Sequence, residues 1–122
     1  MRKKIMVIDD QMSMRKLLSH FLGQYYEVNE QPSATAALNA INQGAQPDII
    51  ISDVIMPEMT GTEFLRNYQE RFQEAIKPVI ILSTIENSSE KMKCFHYGAA
   101  DYVLKPFNPE ELLVRVKNAL RN

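Results

Sequence analysis

The sequence has little of the residues that mark disulfide-linked, fibrous or low-complexity proteins: one cysteine, four glycines and six prolines among 122 residues. The lone Cys94 excludes a disulfide within the chain and any multi-cysteine metal site. The longest unbroken apolar runs, at 5–8 and 79–82, are far shorter than the ~20 residues of a membrane-spanning helix. We therefore expect a soluble globular protein without membrane association, for which a reducing cytoplasm is the simplest location.

Neither sign of charge dominates the chain. Lysine and arginine number 14 against 15 aspartates and glutamates, for a formal net charge of −1. Without a strong field of one sign, direct binding of nucleic acid by this chain is not expected. A length of 122 residues and a hydrophobic content of 45% are enough for one domain with its own core. We expect residues 1–122 to form that single domain.

Short apolar runs alternate along the chain with longer stretches of helical periodicity. The runs predict strands at 4–8, 26–30, 48–52, 79–82 and 102–104. Most are apolar at consecutive positions, which is typical of strands buried on both faces. The helical stretches cover about 14–22, 33–43, 64–72, 87–97 and 112–120. This alternation predicts an α/β fold with a single five-stranded parallel sheet and helices on both faces.

Two of the helix starts carry the signature of a capping box. Thr60 is followed three residues later by Glu63, and Asn108 by Glu111, with Pro109 at the first helical position. In such a box each side chain bonds the main-chain N–H of the other residue. The two pairs therefore predict helix N-termini beside residues 60 and 108.

Polar side chains follow four of the predicted strands. They are Asp9 and Asp10 after the first strand, Asp53 after the third, Ser83 and Thr84 after the fourth, and Lys105 after the fifth. Because the carboxyl ends of parallel strands lie at one edge of a sheet, we expect these side chains to converge. Each residue alone has an ordinary structural explanation: a helix cap, a turn, a strand-end hydroxyl or a solvated cation.

Three acids, two hydroxyls and a cation in one place fit phosphoryl transfer. Clustered carboxylates repel one another unless a cation offsets them, and oxygen ligands suit a hard ion such as Mg²⁺. A carboxylate beside such an ion can attack phosphorus and form an aspartyl phosphate. A metal, a lysine and a hydroxyl donor would position and neutralise the three phosphoryl oxygens.

Several short motifs extend this pattern: the acids at 9–10, the run DVIMP at 53–57 with Gly61 after it, Ser83, and the run GAADY at 98–102 leading to KPF at 105–107. With these motifs the chain resembles response-regulator receiver domains of two-component signalling along essentially its whole length. The resemblance implies the flavodoxin-like receiver fold with strand order 2-1-3-4-5. It also implies a signalling switch rather than a metabolic enzyme, one that catalyses its own aspartyl phosphorylation and dephosphorylation.

The resemblance further implies a role for each acid. Asp53 would be the phosphoacceptor, modified by a partner histidine kinase or phosphotransfer protein. Asp10 and Asp53 would hold Mg²⁺ together with the main-chain carbonyl of Ile55, while Asp9 assists through water. Lys105 would pair with the phosphoryl group and, with Asp53 and a hydroxyl, make up the catalytic set.

The hydroxyl residues are implied to carry the signal. Ser83 would be the catalytic and switch hydroxyl, binding a phosphoryl oxygen with Thr84 beside it. Tyr102 would turn inward behind Ser83 and alter the surface of the fourth helix, fifth strand and fifth helix, which acts on an output protein or a downstream output domain. The peptide before Pro106 is expected to be cis, a conformation that proline makes inexpensive.

Two aliphatic residues stand two positions beyond the phosphoacceptor and the switch hydroxyl. Ile55 and Ile85 cannot orient water for attack on an acyl phosphate, as a polar side chain there could. Our hypothesis is that the phosphorylated form is comparatively long-lived. The alternative is that both residues simply pack at the rim of a loop.

A weaker resemblance concerns the output surface. Lys91, Asp101, Glu111 and Arg115 stand where winged-helix transcription regulators of the OmpR/PhoB type place charges that pair across a symmetric dimer. A homodimer of that kind would match Lys91 with Glu111 and Asp101 with Arg115. The alternative is an ordinary solvated helix face, because surface ion pairs contribute only ~0–1 kcal/mol.

Two other classes of function stay open beside the switch. A phosphorylation-independent interaction module with the same fold would be expected to lack an acid, the hydroxyl or the lysine, and this chain retains all of them. A Mg²⁺-dependent phosphatase or a flavodoxin-like cofactor binder would need a general acid or a substrate pocket. The sequence identifies neither the cognate kinase nor the regulated process, and the chain could be a stand-alone protein or part of a longer regulator.

Overall fold

A computed structural model describes residues 2–121. Strands and helices alternate strictly, apart from a short 3-10 turn at Gln73–Ala75 that the sequence did not predict. The strands are β1 (Lys4–Ile8), β2 (Glu27–Gln31), β3 (Ile49–Asp53), β4 (Val79–Ser83) and β5 (Asp101–Leu104). The helices are α1 (Met12–Leu22), α2 (Ala34–Asn42), α3 (Gly61–Arg71), α4 (Ser88–His96) and α5 (Pro109–Arg121).

The five strands form one parallel sheet in the order β2-β1-β3-β4-β5. In register, Ile8 lies opposite Ser52, Asp53 opposite Leu82, and Ser83 opposite Leu104. The predicted fold class and strand order are therefore confirmed. The ends of β1, β3, β4 and β5 lie side by side along one edge of the sheet. Across residues 2–121, no helix combines the length and the apolar character needed to span a membrane.

The sheet is covered on both faces because its central strands are apolar at consecutive positions. Every residue of β3 and β4 is buried. The buried side chains form two hydrophobic clusters, one on each face of the sheet, and alternate side chains of β1 belong to different clusters. The first cluster packs beneath α2, α3 and α4, and the second packs beneath α1 and α5. Each fully buried aliphatic or aromatic side chain contributes ~1.5–3 kcal/mol relative to exposure. The two clusters hold the strand ends in fixed positions.

Four strands, β2, β3, β4 and β5, differ from the prediction by one residue at one or both ends. β3 begins at Ile49 rather than at 48, because the Asp48 carboxylate accepts a hydrogen bond from the Lys4 main-chain N–H at 2.8 Å and closes the loop before the strand. β2 begins at Glu27 because the Tyr26 N–H still bonds to the carbonyl of Leu22, in the turn that ends α1. The shift of β3 makes Asp53 its last residue.

The two predicted capping boxes have different outcomes. At α3 the box is complete: the Thr60 hydroxyl accepts from the Glu63 N–H, and the Glu63 carboxylate accepts from the Thr60 N–H. At α5 the Asn108 side chain accepts from the Glu111 N–H at 3.2 Å, but the Glu111 carboxylate instead bonds to the Arg115 guanidinium. The second box was therefore only half right, because an i,i+4 ion pair replaces the return bond.

Candidate functional site

The carboxyl edge of the sheet brings three acids together, as predicted. Asp9 and Asp10 follow β1, and Asp53 ends the neighbouring β3. One carboxylate oxygen from each lies within 4.8 Å of the others, and we call these three residues the acid cluster. Asp9 and Asp53 are buried, with 1% and 9% exposure, whereas Asp10 is exposed. Such a group needs positive charge nearby, because like charges at this spacing repel.

Asp9 is the member of the acid cluster that has a carboxylate oxygen without a hydrogen-bond partner among the described residues. Its Oδ1 accepts a hydrogen bond from the Gln11 N–H at 2.9 Å, but its buried Oδ2 has no hydrogen-bond partner within residues 2–121. Burial raises the pKa of Asp9 above its ordinary value; the charge of Asp53 adds to the rise and the bond from Gln11 opposes it. A buried carboxylate oxygen without a donor, beside two further acids, fits a hard cation such as Mg²⁺.

Lys105 supplies the positive charge of the site. Its Nζ lies 3.2 Å from Asp53 Oδ2 and 3.9 Å from Asp9 Oδ2, and its side chain is 13% exposed. The main-chain N–H of Lys105 donates to the Ser83 carbonyl at 2.7 Å, which fixes the end of β5 against β4. The peptide between Lys105 and Pro106 is cis, as predicted. Lys105, which follows β5, therefore reaches past β4 to the acids that follow β1 and end β3.

Gly61 allows the loop after Asp53 to fold back on α3. A Cβ at this position would lie 2.8 Å from the Asp53 carbonyl oxygen and 2.9 Å from Val54 Cα, closer than any side chain tolerates. The Gly61 N–H instead donates to the Val54 carbonyl at 2.8 Å. Beyond Asp53, the Ile55 side chain is 58% exposed. The sequence contains Gly61 as part of a motif, but only the structure gives the reason, which is close backbone approach.

The two predicted switch residues meet at one peptide segment. The buried Ser83 Oγ accepts a hydrogen bond from the Ile85 N–H at 2.8 Å, and the Tyr102 hydroxyl donates to the Ile85 carbonyl at the same distance. Tyr102 is only 6% exposed, so its ring lies inward. Burial raises the pKa of this phenol above its ordinary value. The main chain of Ile85 therefore links Ser83 to Tyr102 through two hydrogen bonds.

A cleft of about 600 Å³ opens beside the acid cluster. Five predicted site residues contribute to it, together with apolar and amide side chains, of which Gln11 and Met14 lie outside the motifs noted in the sequence. Its walls comprise Asp10, Gln11, Met14, Asp53, Ile55, Met56, Pro57, Thr84, Lys105 and Pro106. Thr84 is exposed and lines the cleft, whereas Ser83 lies buried beneath it. Met14 follows the apolar spacing of α1, so its pattern gave no sign that it borders a site.

The ordinary explanations of the single residues hold only in part. α1 begins after Gln11 without a side-chain cap, so Asp10 does not act as a helix cap. Lys105 is not a solvated cation, because its side chain is mostly buried between acids. Ser83 does satisfy a main-chain N–H at its strand end, that of Ile85. Asp53 Oδ1 likewise accepts a hydrogen bond from the Ile55 N–H at 3.4 Å, as in a turn, so Asp10 and Lys105 are the residues that these explanations do not cover.

The residues expected at a dimer face pair with one another inside the chain. Arg115 Nη1 lies 2.8 Å from Asp101 Oδ2, and Arg115 Nη2 lies 3.1 Å from Glu111 Oε1. Lys91 is exposed on α4 and takes no part in these pairs. Three of the four predicted residues thus form an intramolecular group along β5 and α5.

Comparisons with known proteins agree with this geometry. The family model described as response regulator receiver domain matches residues 5–117. The alkaline phosphatase synthesis transcriptional regulatory protein PhoP of Bacillus subtilis is 35% identical over 122 residues, which are 99% of this chain and 50% of PhoP. The chemotaxis protein CheY4 of Vibrio cholerae has a similar structure, with a TM-score of 0.89, 37% identity, and coverage of 98% of this chain and 99% of that chain.

A third similar protein is DrrB of Thermotoga maritima, described as an OmpR/PhoB homolog. Its structure has a TM-score of 0.84 and 35% identity, and the match covers 99% of this chain and 54% of DrrB. The similarity agrees with the weaker resemblance noted on the output surface. The chain spans about half the length or less of the first curated relatives that it matches.

The fold and the acidic edge of its sheet agree with the family match to receiver domains, which are signalling proteins rather than metabolic enzymes. The chain belongs to the response regulator receiver domain family, and its predicted resemblance is confirmed. It is a receiver domain of the kind found in two-component signalling. Receiver domains bind Mg²⁺ at an acidic pocket and interact with histidine kinases and output domains, and the acid cluster lies where such a pocket is expected.

Proposed function

We propose that this chain is a phosphoacceptor switch that takes a phosphoryl group onto Asp53 from a histidine kinase or a phosphotransfer protein, in a Mg²⁺-dependent reaction. The observation that carries the proposal is the position of Asp53: its carboxylate borders an open cleft, 3.2 Å from Lys105 Nζ and beside two further acids. We further propose that residues 1–122 form one receiver domain.

The acid cluster fits a divalent cation on the chemistry of its donors. Asp9, Asp10, Asp53 and the main-chain carbonyl of Ile55 would hold Mg²⁺, and the buried Asp9 Oδ2 without a hydrogen-bond partner supports this assignment. When bound, the ion would offset the negative charge that the acids and a phosphoryl group bring together.

The chain's own residues then account for the transfer. A carboxylate oxygen of Asp53 attacks phosphorus and forms an O–P bond, while the P–N bond to the donor histidine breaks and its electron pair stays on the histidine nitrogen. Lys105 faces the same carboxylate and neutralises charge on the phosphoryl oxygens. Thr84, at the cleft wall, offers a further hydrogen-bonding group. The reaction thus requires positioning and charge rather than a general acid.

Ser83 and Tyr102 would carry the signal outward. Because the Ser83 Oγ accepts from the Ile85 N–H, its own proton remains for a phosphoryl oxygen. A shift of Ser83 toward that oxygen would move Ile85, whose carbonyl holds the Tyr102 hydroxyl. The surface of α4, β5 and α5, called here the α4–β5–α5 face, would respond and act on an output protein or domain. Phosphorylation drives the change only as far as it binds the two arrangements differently.

The decisive experiment is intact-protein mass after incubation with acetyl phosphate and Mg²⁺. We expect the mass of one phosphoryl group in the wild type, and none in Asp53→Asn or in a sample held in EDTA. No adduct, followed by no change with the beryllofluoride mimic and Mg²⁺, would contradict the switch and leave the phosphorylation-independent interaction module.

We also propose that the α4–β5–α5 face forms a homodimer surface. Exposed apolar side chains from all three elements support this, namely Met92, Leu104 and Val114 at 63%, 39% and 55% exposure. In the predicted dimer, Lys91 pairs with Glu111 and Asp101 with Arg115 of the second chain. Forming these pairs requires Arg115 to release Asp101 and Glu111 of its own chain. Sedimentation with and without beryllofluoride tests this, and a monomer under both conditions at high concentration would contradict it.

A further inference from the structure

Arg15 holds the main chain of the acid cluster in place. Its Nη1 donates to the main-chain carbonyl of Asp9 at 2.8 Å. The Asp9 N–H donates to the Gln31 carbonyl at 3.2 Å, so both polar groups of this residue's backbone are fixed. The Arg15 side chain is only 12% exposed although it belongs to α1, a helix on the surface. A mostly buried arginine side chain that contacts the backbone of a predicted metal ligand is not an ordinary solvated arginine.

A second contact fixes the arginine itself. Arg15 Nε donates to Glu30 Oε1 at 3.1 Å, and the other oxygen of Glu30 lies 3.1 Å from Lys16 Nζ. Burial opposes ionisation of Glu30, but the hydrogen bonds from Lys16 and Arg15 hold its pKa below the ordinary value. Glu30 belongs to β2 and lies opposite Val7 of β1. Arg15 therefore links α1 to β2 across the end of β1, where the acid cluster begins.

We infer that Arg15, oriented by Glu30, is a positioning residue that sets the geometry of Asp9 and Asp10 for a divalent cation. The inference rests on the proposed function, because it assumes that the acid cluster binds Mg²⁺. Residues that orient metal ligands without touching the metal typically change its affinity about 10–100-fold when they are replaced. Here the oriented group is a ligand's backbone rather than its side chain.

Charge alone predicts the opposite effect, which makes the inference testable. Arg15 is a cation beside the acid cluster, so removing it makes the site more negative and favours a divalent cation. Removing its positioning role frees the Asp9 carbonyl and weakens binding. Lys16 is the matched control, because it also pairs with Glu30 and carries the same charge, yet it makes no contact with Asp9 among the described residues.

The experiment is calorimetric titration of Mg²⁺ into the wild type, Arg15→Ala and Lys16→Ala, with far-ultraviolet circular dichroism to confirm folding. We expect Arg15→Ala to bind Mg²⁺ about tenfold more weakly than the wild type, and Lys16→Ala to bind it as tightly or slightly more tightly. Should Arg15→Ala fail to fold, Arg15→Lys decides the matter. It keeps the charge but replaces two separate nitrogen donors with one, and we expect weaker binding than in the wild type.

The outcomes separate the inference from the proposed function. If the wild type binds Mg²⁺ and Arg15→Ala binds it as tightly as Lys16→Ala, the positioning role is overturned while the metal site stands. If Arg15→Ala does not fold and Arg15→Lys binds Mg²⁺ as tightly as the wild type, the positioning role is likewise overturned. If the wild type itself takes up no Mg²⁺, the metal site of the proposed function fails and the role of Arg15 fails with it.

Discussion

Two regions of this molecule use the same charged residue types under opposite conditions. At the acid cluster, the side chains of Asp9 and of the neighbouring Lys105 are 1% and 13% exposed, and one oxygen of Asp9 has no hydrogen-bond donor within residues 2–121. On the α4–β5–α5 face, Arg115 is 37% exposed and bonds directly to Asp101 and Glu111. The first arrangement leaves a buried carboxylate oxygen without a donor, whereas the second pairs both carboxylates with the partly exposed Arg115, whose Nε is buried without a hydrogen-bond partner within residues 2–121.

This difference indicates which region has a ligand to bind. Incomplete buried charges cost stability, because water no longer solvates them and no partner replaces it. Such a cost is retained where binding or chemistry requires it. Exposed ion pairs with short contacts cost little and contribute little. Variants of the two regions should therefore differ in size of effect, in salt dependence and in response to Mg²⁺.

The largest effect should follow from removing the cation of the cluster. Lys105→Met leaves Asp53 without its 3.2 Å partner and the phosphoryl oxygens without a neutralising charge. We expect phosphorylation by acetyl phosphate to slow by about 10²-fold, the typical loss when one charge-stabilising donor is removed. Adduct formation over time, followed by intact mass, measures the rate. Lys77→Met is a control, since the exposed Lys77 lies at the opposite edge of the sheet; equal rates in all three proteins would contradict the role of Lys105.

A smaller effect should distinguish the two aliphatic neighbours of the site. Ile55 lines the cleft, whereas Ile85 is half-buried and packs against the core. A polar side chain at 55 can orient water near the acyl phosphate, so Ile55→Gln should shorten the lifetime of phosphorylated protein several-fold. Ile85→Gln should shorten it less. Decay of the adduct after removal of acetyl phosphate measures both, and a lifetime that neither variant changes would contradict the hypothesis of apolar protection.

Much of this site could be predicted from the sequence, and the reason is geometric. Asp9, Asp53 and Lys105 each follow an apolar run, and parallel strands bring their carboxyl ends to one edge. The positioning role of Arg15 could not be predicted, because it depends on how far a long side chain reaches from α1 to the polar strand β2. The need for a glycine at 61 could not be predicted either, because it depends on how closely the backbone at 61 approaches that of residues 53–54.

The pairing of Asp101 and Arg115 shows the same limit on the output surface. The resemblance predicted that Asp101 of one chain pairs with Arg115 of another, and the structure has this pair within one chain. The sequence could not determine whether the pair forms inside one chain or between two, because the spacing allows either. The resemblance thus predicted which residue types pair, whereas the packing of β5 against α5 joins them within one molecule.

The pH dependence of stability should test the burial of Asp9. Its raised pKa means that the folded protein holds this proton more tightly than the unfolded chain does. Stability present at low pH is therefore lost as pH rises from the ordinary carboxyl value through the raised one. Asp9→Asn does not lose stability in this way, because asparagine does not titrate. In EDTA, its unfolding free energy relative to the wild type should increase with pH across the acidic range, as measured by urea unfolding.

Glu63 provides a control of opposite sign for that measurement. Hydrogen bonds from Thr60 lower its pKa, so the stability it contributes is present above the ordinary carboxyl value and is lost as pH falls. Glu63→Gln should therefore be most destabilised relative to the wild type at neutral pH and approach it in acid. Parallel pH profiles for the wild type and Asp9→Asn would mean that Asp9 is not held at a raised pKa.

The smallest effect should come from the α4–β5–α5 face. Arg115→Ala removes two ion pairs at once, yet both are partly exposed, so the free energy of unfolding of the monomer should fall by only ~0–1 kcal/mol. Raising the salt concentration should reduce the difference further, because exposed charges are screened. Urea unfolding at low and high salt measures it, and Asp101→Asn should have an effect of similar size, since it removes the 2.8 Å contact. A loss of several kcal/mol that salt does not alter would mean that this pair behaves as a buried one, and the contrast with the acid cluster would then rest on ligand binding rather than on exposure.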